Sequence, residues 1–140
     1  MKLPFTWIYP GVAERPFVPF RVEGIPPGIN LMALVDSGAM KTMLDARIAD
    51  AAGIPLPTQV SQRVVIGGLQ HDTFSARVPI VVGQHKWESD VLFAQGWNAP
   101  HQIFGLSDLF ELFRVHVDAE DKTTTISPKR MSPRISRVRK

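Results

Sequence analysis

The stretch 33-ALVDSGAMKTML-44 sets an aspartate, a serine and a glycine directly behind an apolar run. Ala33, Leu34 and Val35 read as a buried strand. A carboxylate is costly to take out of water, so Asp36 at the end of that strand needs a reason. A turn supplies one, because Asp-Ser-Gly is ordinary turn chemistry. A catalytic carboxylate held beside a rigid core supplies another. The remainder of the chain has to separate the two.

Outward from this stretch, short apolar runs alternate with turn signals. Before it, 15-RPFVPFRVEG-24 alternates as a strand whose Pro16 and Pro19 suit an edge or a strand start. The turn 25-IPPG-28 leads to the strand 29-INLMALV-35. After it, 42-TMLDARIADAAG-53 predicts a short helix. Thr42 with Asp45 three residues on resembles a capping box. Gly53 and Pro55 supply the stop. A hairpin pattern follows, 59-QVSQRVVIG-67 and 72-DTFSARVPIVVG-83, joined through Gly67, Gly68, Leu69, Gln70 and His71. A further strand runs over 86–94 and a loop over 95–102. Residues 103-IFGLSDLFELF-113 read as a strand end, a glycine and a short helix. Two strands, 114–118 and 123–127, close the body. Short strands at this spacing predict a closed, barrel-like β domain.

Composition agrees and narrows the class. The chain has 140 residues, 44% of them hydrophobic, enough for one domain with a real core. Twelve prolines and ten glycines favour turns and short strands over long helices. There is no cysteine, which excludes disulfides and thiolate chemistry and permits a reducing compartment. The four histidines form no HxxxH pair, so local spacing points to no metal site. No run approaches the roughly 20 apolar residues of a membrane helix. The opening 1-MKLPFTWIYPG-11 makes a poor signal peptide. A cytoplasmic protein is the expectation.

The net charge of +3 is unevenly spread. Six of the sixteen Lys and Arg residues lie in 127–140, with no acid among them, which leaves ten bases against thirteen acids in 1–126. Such a tail either binds nucleic acid or another acidic surface, or is a solvated, flexible end.

Three features stand in order along the chain: Ala33-Leu34-Val35-Asp36-Ser37-Gly38-Ala39, a hairpin with Gly67-Gly68 near its tip, and Ile103-Phe104-Gly105 ahead of a short helix. Together they resemble the retroviral-type, retropepsin-like aspartic proteases. The resemblance covers residues 15–127, between an N-terminal segment 1–14 and the basic tail 128–140. It implies an all-β, closed acid-protease barrel with a flap hairpin and one or two short helices. It also implies peptide hydrolysis by water, without metal or cofactor. In that chemistry one carboxylate takes a proton from water while a second, protonated, hydrogen-bonds the carbonyl oxygen. Two carboxylates about 3 Å apart share a single proton.

One Asp-Ser-Gly is present, so the resemblance implies a homodimer with Asp36 supplied by each copy. Ser37 then bonds across the dimer axis or, alternatively, makes a local turn contact. Gly38 lets backbone approach the carboxylates. Ala39 is small beside a substrate channel or is plain filler. Gly67 and Gly68 let the flap bend over an extended peptide. Gly105 allows close packing under the Asp36 loop, with Ile103 and Phe104 in the core. Two departures stand out: serine replaces the commoner threonine, and 105-GLSDLF-110 lacks the Gly-Arg-Asp or Gly-Met-Asp opening of many relatives. Asp108 is placed in a first helical turn and given no catalytic role. His71 is read as a loop histidine near the flap tip. Trp7, Trp87 and Trp97 are read as core or dimer contacts. Phe5, Trp7, Ile8 and Tyr9 suit an interface sheet.

The reading is an aspartic endopeptidase acting on proteins or peptides. The alternative within the same fold is a dimeric peptide-binding module that does not cut. A third is nucleic-acid association through the tail.

Overall fold

A computed structural model describes residues 1–8, 13–130 and 133–138. In chain order its strands are β1 (Lys2–Pro4), β2 (Phe17–Val22), β3 (Leu31–Val35) and β4 (Thr42–Asp45), then helix α1 (Ala46–Ala52). The hairpin strands β5 (Gln62–Ile66) and β6 (Leu69–Val82) come next, then β7 (His85–Ala94) and β8 (Gln102–Phe104). A kinked turn over Leu106–Phe110 precedes β9 (Phe113–Asp118), β10 (Thr123–Pro128) and β11 (Ser136–Arg137).

Six strands close on themselves in the order β7, β4, β8, β3, β2, β6 and back to β7. The closing seam is the long antiparallel β6–β7 ladder, from Thr73 opposite Ala94 to Val82 opposite His85. Closure removes free edges from these strands. The fold is all-β and barrel-like, as the spacing of apolar runs predicts.

Alternation fills the barrel. Val18, Phe20 and Val22 on β2 face inward, as do Val78, Ile80 and Val82 on β6. Trp87, Val91, Phe93 and Phe104 join them in one core. Each such side chain contributes about 1.5–3 kcal/mol on burial. Pro19 lies where β2 is in register with β3; the β6 register begins only at Arg21. Its missing N–H is therefore tolerated in a strand that elsewhere has two neighbours.

The helix expected from Thr42 starts later. Thr42–Asp45 is a strand, buried throughout, running parallel to β7 and meeting β8 at Met43 opposite Ile103. Burial between two strands outweighs the local helical pattern. Asp45 is itself the N-cap: its Oδ1 accepts from the Arg47 N–H at 2.9 Å. Gly53 ends the helix in the left-handed region, φ 69°, as its position predicts.

Outside the ring, β1, β10 and β9 make a separate three-stranded sheet. The Met1 amino group donates to the Ile126 carbonyl at 2.8 Å, which ties the N-terminal segment to β10 of its own chain. Tyr9, one of the apolar residues suited to an interface, lies outside the described residues. So do Met131, Ser132, Arg139 and Lys140 of the basic tail. Within that tail, β11 pairs with the start of β7. No helix among the described residues is long and apolar enough to cross a membrane.

Two histidines are packed against the body and resist charging. His85 lies edge-on to Phe113 at 5.7 Å, and its Nδ1 is buried without a hydrogen-bond partner among the described residues. Burial lowers its pKa, helped by Arg137 and the chain amino group. His101 stacks obliquely on Phe17 at 5.1 Å, and burial, then Arg15, lowers it as well. Both stay neutral in the fold at a pH where the unfolded chain, near 6.5, takes up protons. The unfolded state then binds more protons, so stability falls as pH drops through about 6.5. Thermal unfolding midpoints followed from pH 8 to 5.5 are expected to decline, and a His85→Gln/His101→Gln variant to flatten that decline. An equal slope in the variant would remove the two histidines as its cause.

Candidate active site

Asp36 leaves β3 at the point where the ladder with β8 ends. Leu34 and Val35 sit opposite Ile103 and Phe104, and the Asp36 N–H donates to the Phe104 carbonyl at 3.0 Å. On the other side, the Val35 N–H donates to the Pro16 carbonyl at 3.0 Å. The carboxylate is thus carried by backbone fixed from both flanks.

The chain then turns on its own polar groups. The Gly38 N–H donates to Asp36 Oδ1 at 2.8 Å, and the Ala39 N–H to the Asp36 carbonyl at 3.3 Å. This is the Asx-type turn that Asp-Ser-Gly encodes. It does not consume the carboxylate, which offers about four lone-pair sites. Asp36 is half-buried, while Ser37 and Gly38 are exposed beside it. A Cβ at Gly38 would lie 3.1 Å from Oδ1, so a side chain there would crowd the acid.

A second crossing holds the far end of the turn. The Leu106 N–H donates to the Ala39 carbonyl at 2.8 Å and the Ser107 N–H to the Met40 carbonyl at 2.9 Å. Gly105 lies directly under this crossing. A Cβ on it would stand 2.7 Å from the Ala39 carbonyl oxygen and 2.6 Å from the Lys41 carbonyl carbon. Only glycine allows the two backbones so close.

Above the loop sits the hairpin of β5 and β6. Gly67 and Gly68 both have positive φ, 57° and 80°, and Ile66 faces Leu69 across them. That is a two-residue turn of the primed kind. Val64 and Ile66 pack against a cluster of Ala39, Met43, Leu92, Ala94, Trp97 and Ile103. Ala39, buried in that cluster, joins the Asp36 turn to the hairpin base. Val65 points away and is exposed at 71%, Leu69 beside the turn is exposed, and Met40 is exposed at 70%. These three apolar residues were not singled out from sequence. The unbroken run Val64-Val65-Ile66 is the signal, since alternation must turn its middle member outward.

His71 is not an exposed loop residue. The short turn puts it inside β6, opposite Val64, and it is 4% exposed. Its Nδ1 lies 2.9 Å from the Gln95 carbonyl and its ring 6.0 Å from Trp97. Trp87 is a core residue, and Trp97 donates from Nε1 to the His101 carbonyl at 3.0 Å. Trp7 is half exposed.

Among the described residues two other carboxylates are buried, and both are committed. Asp45 caps α1 and accepts from the Arg47 guanidinium at 2.6 Å. Asp108 accepts from the Ser89 hydroxyl at 2.7 Å, from the Asp90 N–H at 3.1 Å and from Arg134. It is not in a first helical turn as expected but in a kink with φ 70° and ψ −65°. Among the described residues no three His, Asp or Glu side chains gather as a metal site.

No protein-family model matches the chain, and no curated protein matches it in sequence. Solved structures do. The EIAV protease complexed with the inhibitor HBY-793 superposes with a TM-score of 0.54 at 21% identity, covering 71% of this chain and 88% of that one. A retropepsin-like aspartic protease from Rickettsia conorii superposes with a TM-score of 0.55 at 14% identity, covering 89% of this chain and 88% of that one. The chain has the retropepsin-like fold.

Gly105→Ala drives a methyl group into the Asp36 loop and is expected to cost about 1–3 kcal/mol, the usual penalty of overpacking. Urea unfolding should show a lower midpoint with an unchanged slope. An unaltered midpoint would mean the two backbones are not in the contact described.

Proposed function

We propose that the chain is an aspartic endopeptidase that works as a homodimer, with Asp36 from each copy activating one water against a peptide bond. The observation that supports this most is the Asp36 turn: a half-exposed carboxylate on backbone held from both sides, in a fold shared with proteases of this type. The buried acids of the same chain are engaged elsewhere, so a second copy is the natural source of the second carboxylate.

In the proposed dimer the two carboxylates share one proton. The ionised member takes a proton from water as it attacks, and the protonated member hydrogen-bonds the carbonyl oxygen. The Gly38 N–H holds one carboxylate oxygen in place, so less reorganisation is needed during the reaction. Ser37 would bond across the axis. The hairpin tipped by Gly67 and Gly68 would close over an extended peptide, excluding water and offering backbone hydrogen bonds. Leu69 and Met40, both exposed, would give that peptide apolar contacts. A cytoplasmic setting belongs to the same proposal, since without cysteine the fold gains nothing from an oxidising compartment.

The test is cleavage of a mixed peptide library between pH 4 and 7 by the protein and by Asp36→Asn. In the proposed homodimer Asp36→Asn removes the acid and the base together, so turnover is expected to fall by more than the about 10²–10⁴-fold that a single such group supplies. Equal turnover would remove Asp36 as the catalyst, and binding without cleavage by the unaltered protein would support the peptide-binding module. Mixing gives a second readout. After equilibration of equal amounts with Asp36→Asn, random pairing leaves about a quarter of the dimers with two aspartates. Activity per wild-type chain should then fall by about half; no fall would mean that each chain acts alone.

A further inference from the structure

We infer that Arg134, in the C-terminal segment, is a positioning residue for the Asp36 loop, acting through the buried carboxylate of Asp108. Its catalytic consequence rests on the endopeptidase reading; its structural consequence does not.

Asp108 is 4% exposed and sits at φ 70°, ψ −65°. These are the angles of the rare γ-turn with positive φ, strained for a residue that has a Cβ. Such a conformation persists only where its surroundings over-determine it. Here the carboxylate is held on both oxygens. Ser89 Oγ and the Asp90 N–H donate to Oδ2, at 2.7 and 3.1 Å. The Arg134 guanidinium pairs with Oδ1 and reaches Glu111 at 3.5 Å. Burying a carboxylate without a cation would be strongly unfavourable, so this arginine stabilises the kink as well as the charge.

The chain on either side of Arg134 is docked on the body. Before it, the Lys129 N–H donates to the Leu112 carbonyl at 2.9 Å and its Nζ to the Phe110 carbonyl at 2.6 Å. After it, β11 pairs Ser136 with Lys86 and Arg137 with His85, and the Val138 N–H donates to the Gln84 carbonyl at 2.9 Å. The segment therefore delivers Arg134 to a defined place.

The kink is also where the Asp36 loop is gripped. Ser107 directly precedes Asp108, Leu106 precedes Ser107, and their N–H groups hold the Met40 and Ala39 carbonyls. Fixing Asp108 fixes the direction of those two donors. A chain of contacts thus runs from Arg134 through Asp108 to Leu106 and Ser107, and from them to the turn that orients Asp36.

Amide hydrogen exchange tests this by residue. In Arg134→Ala the Leu106 and Ser107 amides are expected to lose roughly tenfold or more of their protection, while the Ile126 amide of β10, bonded to the Met1 carbonyl, and the Ile54 amide after α1, bonded to the Ala49 carbonyl, keep theirs. Arg134→Lys should recover part of the loss. Arg134→Ala/Asp108→Asn should recover most of it, since a neutral side chain needs no cation. On a cleavable peptide, Arg134→Ala should lower kcat with little change in KM. Unchanged exchange at Leu106 and Ser107 would overturn the inference, as would an equal loss at all the amides followed. If Arg134→Ala does not fold, Arg134→Lys carries the same comparison against the wild type. If exchange responds as expected but the wild type cleaves nothing, the endopeptidase reading fails while the positioning role stands.

Discussion

Where residues 36–41 cross over Gly105, two segments far apart in sequence share one layer of backbone. Asp36 donates back to Phe104, and Leu106 and Ser107 donate forward to Ala39 and Met40. Each such hydrogen bond is worth only about 0.5–1.5 kcal/mol net, but a buried N–H left unpaired costs more, about 1–3 kcal/mol. The loop is therefore held less by what its bonds add than by what any other arrangement would leave unsatisfied. That is a stiff constraint, and it bears on the direction of Asp36. It also explains the demand for glycine at position 105, because a methyl group there would separate the donors from their carbonyls.

The barrel supplies the frame for this crossing, and one strand links the frame to the hairpin above. Residues 73–82 of β6 pair with β7 along the closing seam, while its first residues, from Leu69, pair with β5. The wall and the hairpin are thus one continuous strand. Any bending of the tip must be absorbed near Gly67 and Gly68 or in the contact of Val64 and Ile66 with the Ala39 cluster, since the seam is fixed by a full ladder. The hairpin and the Asp36 turn share that apolar contact, so neither can shift far without the other.

Local pattern was enough for much of this. The apolar run into Asp36, the paired glycines of the hairpin and Gly53 after the helix each carry their own explanation within a few residues. What escaped depends on distant partners. Thr42–Asp45 has a helical pattern and becomes a strand because β7 and β8 lie on either side of it. The local sequence places His71 in a long turn; a two-residue turn moves it into β6 and one face inward. Asp108 and Arg134 are 26 residues apart, and neither suggests the other until the chain has returned past β10. The proposed pairing of Asp36 with its own counterpart lies beyond a single chain altogether, and enters only through the fold and the motif.

The acids of this molecule divide by how they are compensated. Asp45 and Asp108 are buried, and each is met by an arginine and by N–H or O–H donors. Asp36 has the Gly38 N–H and stands half open beside exposed residues. A buried carboxylate paired with an arginine is an anchor. An acid with spare lone pairs and access to water can exchange a proton, and in the proposed dimer it must do so, because its neighbour is an identical acid. Association and protonation then become one linked equilibrium: like charges at close range oppose the pair, and a shared proton removes that opposition. The same proton that hydrogen-bonds the carbonyl oxygen would hold the two copies together at the axis.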